Sequence, residues 1–312
     1  MASIVEVTDL VKRFGDFTAV DGVSFSIEEG EIFGLLGPNG AGKTTTISTI
    51  SCLLAPDGGD VTVGGHSVRS DVTAVKRELG VVPQEIALYP TLSAGENLAF
   101  WGRMYGLSGA ALKKAVDDAL LLAGLEDRSK ERVEKYSGGM KRRINIAAGI
   151  LHTPRVLLMD EPTVGIDPQS RNHILETVKE LNGKGMTVLY TSHYMEEVEF
   201  LCDRIAIMDH GKIIAMGTLN ELRAVVGGMD VVDVKVESVS DLVLEQVRAI
   251  PGVKQATRTE DALQVLTPGS GSVLGKLVAT LESEGSHVTS IAVTEPNLES
   301  VFLHLTGKSL RD

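Results

Sequence analysis

The stretch "GLLGPNGAGKTTTISTI", residues 34–50, sets four glycines and a proline ahead of Lys43, then runs at once into apolar residues at helical spacing. Glycine is costly inside regular structure, so such a density has a cause. The run "EIFGLL" reads as a strand and "KTTTISTISCLL" as a helix, which makes strand, loop, helix. Between them Gly37, Pro38, Asn39, Gly40, Ala41, Gly42, Lys43 and Thr44 satisfy G-x-x-x-x-G-K-[ST]. The glycines let successive backbone N–H groups turn inward around a phosphate, and the helix points the positive end of its dipole at the same place. Lys43 is expected to reach the β- and γ-phosphates and Thr44 to ligate Mg²⁺, with Thr45 next to it in the nucleotide-binding set.

The rest of the chain is compatible with a folded phosphate-binding protein. Its 312 residues suffice for one large or two medium domains, and 43% hydrophobic with 23% charged residues is an ordinary globular balance. Aromatics make up only 4%, so the core is expected to be aliphatic. A formal net charge of −12 argues against nucleic acid as a partner, since that binding rests on a basic field. The two cysteines, Cys52 and Cys202, lie in apolar surroundings and read as buried free thiols. The beginning "MASIVEVTDLVKRFG" carries acids early and does not read as a signal peptide. No apolar run approaches the roughly 20 residues of a membrane helix, so any span must come from a partner.

Periodicity divides the chain. Residues 1–36 read as short strands, and about 88–150 as a helical insert, with Leu112, Ala115, Val116, Ala119, Leu122 and Ala123 at helical spacing. "RVLLMDEP" and "TVLYTS" read as buried parallel strands, with a helix at about 169–182 between them, and "IAIMDHGKIIAMG" reads as a hairpin. "TLNE", residues 218–221, has the capping-box pattern. Composition shifts at 225–229, after which a strand–helix–strand–strand–helix–strand order and a terminal helix predict a small ferredoxin-like domain over 229–312, hinged at Gly227-Gly228. The fold class is therefore α/β over 1–225, with an α+β domain behind it.

Two further segments carry chemistry. "VLLMDEP" sets Asp160 and Glu161 at the C-terminal end of a buried strand, where open parallel sheets place their ligands. Asp160 suits Mg²⁺, and Glu161 is the candidate base for an attacking water. "YSGGMKRRINIAAGIL" starts a helix with Ser137 as N-cap, yet puts Lys141, Arg142 and Arg143 where the dipole disfavours cations. An anion held by Ser137, Gly138 and Gly139 would account for that charge.

The ordered set "GPNGAGKT", "VVPQE", "YSGGMKRR", "VLLMDEP", "VGID" and "TSH" resembles the ATPase subunit of ABC transporters over roughly residues 3–222. The resemblance implies the P-loop fold of that family, ATP and Mg²⁺ as ligands, and ATP hydrolysis. By position it implies Phe14 as the ring stacked on adenine, although tyrosine is usual there. It implies Gln84 as the glutamine that senses metal and water, and Ser137 to Met140 as the signature segment, with Met140 in place of glutamine. Asp167 matches the acid that crosses the dimer interface, and His193 matches the histidine on the γ-phosphate. The family architecture implies a homodimer with each ATP between one copy's Lys43 loop and the other's Ser137 segment. It also implies separate membrane permease subunits that hold the chain at the cytoplasmic face of the membrane. The tail "TEPNLESVFLHLTGKSLRD" is similar to that of bacterial drug-exporter ATPase subunits of the daunorubicin-resistance type. The alternative is a soluble ABC-type ATPase without a membrane partner; a single copy of each motif and no heptad run favour the transporter.

Overall fold

Alternating apolar residues draw the start of the chain into two long strands, β1 (Ser3–Phe14) and β2 (Phe17–Glu28), paired antiparallel. The fold is a computed structural model that describes residues 3–225, 229–236, 240–258, 263–284, 286–294 and 297–307. Beyond the hairpin run β3 (Ile32–Leu36), α1 (Lys43–Ile50), β4 (Gly58–Val63), β5 (His66–Ser67), α2 (Val72–Glu78) and β6 (Leu79–Val82). Three helices follow, α3 (Ala94–Met104), α4 (Gly109–Ala123) and α5 (Gly138–Gly149), and then β7 (Val156–Asp160), α6 (Pro168–Gly183), β8 (Thr187–Ser192), α7 (Met195–Leu201), β9 (Arg204–Asp209) and β10 (Lys212–Gly217).

These elements make two sheets. One has the order β2-β1-β4-β5 and the other β10-β9-β3-β8-β7-β6. In the second, β9, β3, β8, β7 and β6 are parallel, and β3, β7 and β8 are buried along their whole length. That explains their unbroken apolar runs. Ile47 and Ile50 of α1 share one core with Val5 and Val7 of β1 and Leu35 of β3, so α1 is clamped between the sheets. On another face Ile174 and Val178 of α6 pack with Met159 and Tyr190. The helical insert has its own core around Leu98, Leu120 and Ile144.

The chain divides into two compact units, Met1–Ala215 and Met216–Asp312. The second contains α8 (Leu219–Val225), β11 (Asp230–Val236), α9 (Asp241–Arg248), β12 (Gln255–Arg258), β13 (Leu263–Thr267), α10 (Ser270–Ser283), β14 (Val288–Thr294) and α11 (Leu298–Thr306). Its sheet has the order β12-β13-β11-β14 with antiparallel neighbours, the ferredoxin-like arrangement. Val243 and Val247 of α9 and Val273, Leu277 and Leu281 of α10 cover Val232, Val234, Leu263 and Val265. The division falls ahead of α8 rather than at the composition shift at 225–229, because α8 packs against α11. The Gly227-Gly228 pair lies outside the described residues.

Candidate functional site

The loop between β3 and α1 is shaped by contacts that only glycine allows. Gly42 has φ +106°, and a Cβ there would sit 2.5 Å from the Ala19 carbonyl oxygen. Gly42 is also the N-cap of α1, with no side-chain cap and no acid in the first turn. The first N–H groups of α1 are thus left for an anion, as the motif implies.

Lys43 turns back into this loop. Its Nζ donates to the carbonyls of Gly37 at 2.7 Å and Pro38 at 3.1 Å, and lies 2.9 Å from Glu161 Oε1. Both side chains are buried, at 4% and 5% exposure, so this ion pair is nearly dry. Buried pairs of this kind are held by mutual need, since either partner alone would be strongly unfavourable.

Glu161 follows β7 and takes φ +44°, a left-handed conformation rare for a residue with a side chain. Its N–H donates to Thr191 Oγ1 at 3.0 Å and the Thr191 carbonyl at 3.2 Å, which fixes the turn from the adjacent strand. The same Thr191 hydroxyl donates to Asp160 Oδ1 at 2.7 Å. Burial pushes the Asp160 carboxyl above its ordinary range, against hydrogen bonds from Thr191 and Thr44 that pull it down. His193 Nδ1 lies 3.3 Å from Glu161 Oε2, so Glu161 sits between a lysine and a histidine.

Phe14, Phe17, Ala19, Asn39, Gly40, Gly42, Lys43, Thr44, Thr45, Gln84 and Glu161 line one cavity of about 320 Å³. Phe14 is half-exposed at the tip of the β1–β2 hairpin, with Lys12 Nζ 5.7 Å from its ring centroid. Thr44, Gln84 and Asp160 offer oxygen donors only, which suits a hard divalent cation. No group of three or more His, Cys, Asp or Glu able to hold a metal occurs among the described residues.

The signature segment stands apart from this cavity. Ser137 caps α5 by accepting from Met140 N at 3.3 Å, and Ser137 and Gly138 are exposed. Gly139 is buried because the α6 start comes close, and a Cβ there would collide with Ser170. Asp167 is the exposed N-cap of α6, accepting from Ser170 N at 2.9 Å, and that bond holds its carboxyl below the usual range. The two arginines at the start of α5 turn inward to backbone carbonyls. Arg142 is buried and donates to the carbonyls of Pro83, at 2.7 Å, and Gln84, while Arg143 donates to the Ala123 carbonyl at 2.7 Å. Both guanidiniums thus have backbone acceptors of their own.

Sequence reading missed Phe17 and Ala19 in the lining, Thr191 between the two acids, and Arg142 behind Gln84. It also passed over Glu197. That carboxylate is 3% exposed and accepts from Thr163, Tyr190 and Ser192. The available signal was its place in α7 on the buried side with Val198 and Leu201.

A family model described as ABC transporter matches residues 20–164, and one described as ATP-binding protein DrrA1-3-like, C-terminal domain, matches residues 217–306. The chain is 51% identical to the linearmycin resistance ATP-binding protein LnrL of Bacillus subtilis (strain 168), covering 99% of this chain and 100% of that protein. It is 38% identical to the daunorubicin resistance ATP-binding protein DrrA3 of Streptomyces coeruleorubidus, covering 98% and 97%. Among solved structures, an ATP-binding subunit of an ABC transporter superposes with TM-score 0.66 at 31% identity, covering 72% of this chain and 94% of that one. A dimeric ATP-binding cassette in a post-hydrolysis state bound to ADP and Pi superposes with TM-score 0.64 at 28% identity, covering 69% and 98%.

Proposed function

The chain belongs to the ATP-binding proteins of the ABC transporter family and is an ATPase of that family, and on that premise we propose that two copies close on ATP to drive a separate membrane permease that exports its cargo. Phe14 stacks on the adenine, and residues 37–45 wrap the phosphates with backbone N–H groups. Lys43 exchanges its loop carbonyls and Glu161 for the β- and γ-phosphate oxygens. That exchange frees Glu161 to orient a water and take its proton, as the new bond to the γ-phosphorus forms and the bond to the ADP oxygen breaks. His193 hydrogen-bonds the γ-phosphate. Gln84 senses the attacking water and ties the site to the helical subdomain through the Arg142 contact. Thr44, Asp160 and Gln84 would hold Mg²⁺, which when bound neutralises charge on the phosphate oxygens.

Ser137, Gly138 and Gly139 of the second copy complete the pocket, and Asp167 lies along the shared interface. Support comes from the exposure of Ser137 and Gly138 away from the Lys43 cavity and from the dimeric relative. No helix among the described residues is long and apolar enough to cross a membrane, which fits a span supplied by permease subunits. The chain then works at the cytoplasmic face of the membrane. The relatives named for linearmycin and daunorubicin resistance, and others named for Nod factor export, support outward transport.

One observation carries the reading: Lys43 Nζ and Glu161 Oε1, from motifs far apart in the chain, meet at 2.9 Å on one cavity. Glu161→Gln tests it. This variant is expected to bind ATP and elute as an ATP-dependent dimer, with turnover below about a hundredth of wild type. Undiminished hydrolysis removes Glu161 from the role of base.

A further inference from the structure

Glu197 lies outside the cavity, yet its carboxylate gathers the segments that flank Glu161 and His193. Its Oε2 accepts from Thr163 Oγ1 at 2.7 Å, two residues past Glu161. It accepts from Tyr190 OH at 2.8 Å on β8, and from Ser192 Oγ at 3.1 Å, one residue before His193. Oε1 lies 3.4 Å from Arg171 Nε on α6, the helix capped by Asp167. One buried side chain thus ties the turn after β7, the end of β8 and the start of α6.

A carboxylate can only accept, so the three hydroxyls must aim their protons at it. For Ser192 this leaves the lone pairs to accept from Tyr194 N at 2.9 Å. The backbone carrying His193 is therefore held on both sides, through Ser192 before it and Tyr194 after it. Arg171 packs over the Tyr194 ring at 4.8 Å and closes the arrangement from α6. Three hydroxyls and a guanidinium around one carboxylate in a dry site form a network whose members are worth more together than apart.

We propose that Glu197 is a positioning residue of the ATPase site, setting His193 and the segment after Glu161 in register by enforcing the direction of the Thr163, Tyr190 and Ser192 hydrogen bonds. The proposal rests on the roles given above to Glu161 and His193. Ground-state binding by the residue 37–45 loop does not pass through Glu197, whereas alignment of the γ-phosphate side does. A change at Glu197 therefore reads out in kcat and leaves KM alone.

The test uses the full chain and compares Glu197→Gln, Ser192→Ala and the double variant in steady-state ATP turnover. The amide keeps the volume but adds N–H donors, so the hydroxyls lose their enforced direction and Arg171 faces a donor. Expected is a loss of kcat of about tenfold in each single variant, with KM for ATP within about twofold. The double variant is expected to be no worse than either single, because both act through one linkage. Wild-type kcat in Glu197→Gln, losses that multiply in the double, or a rise in KM at constant kcat overturns the proposal. Should Glu197→Gln lack a cooperative thermal transition, Ser192→Ala decides alone, and wild-type kcat there overturns it. Glu161→Gln in the same assay separates the two readings: if it is fully active the base assignment fails, and if it is inactive beside a normal Glu197→Gln only the present proposal fails.

Discussion

Lys43 is paired with a buried carboxylate, and this gives its substitution two consequences. The ammonium neutralises a buried Glu161 and satisfies two loop carbonyls. Lys43→Ala strips a buried carboxylate of its ammonium partner, so the protein should lose about 3 kcal/mol or more of stability. The loss is checked by denaturant unfolding without ATP. Turnover should fall by at least about a hundredfold, since the charge meant for the phosphates is gone. An unchanged ATPase rate counts against the phosphate assignment. Glu161 itself pays for its position with a left-handed backbone, and Thr191 holds it there from the next strand.

Individual elements show where sequence reading succeeds and why it stops. β7 and β8 were legible because both faces are buried, which demands an unbroken apolar run. The capping box at Thr218 was legible too: Thr218 N donates to Glu221 Oε2 at 2.8 Å and Glu221 N to Thr218 Oγ1 at 3.3 Å. β1 exceeds the short strand expected, because Asp9, at φ +46°, and register shifts past Val7 let pairing continue through a break in alternation. α1 is shorter than its apolar run, since Cys52 turns to φ +57° while Leu53 and Leu54 prolong the pattern without the helix. The partners of Arg142 and Arg143 were not legible, because a buried guanidinium and a solvated one look alike in sequence. Only the fold brings Pro83 and Gln84 to Arg142. Arg142→Met should therefore cost about 2–3 kcal/mol by leaving two carbonyls without their charged donor. Its kcat should fall more than its affinity for ATP, because the freed segment carries Gln84 into the cavity; equal losses in both would detach Arg142 from that segment's role.

For the molecule as a whole, two compact units with separate cores should unfold separately. Scanning calorimetry is expected to resolve two transitions. ATP with Mg²⁺ at about a hundred times its dissociation constant should raise the first unit's stability by about 2.7 kcal/mol and leave the second unit's transition in place. A single transition that moves as one would show the units to be energetically joined. The cavity, the Lys43–Glu161 pair and the Glu197 network all belong to the first unit. The lysine–glutamate pair acts, moreover, as a latch that an arriving anion must open. Whatever ligand draws the ammonium away leaves Glu161 with His193 Nδ1, 3.3 Å off, as its remaining neighbour, so engaging the lysine and unbinding the carboxylate become a single event.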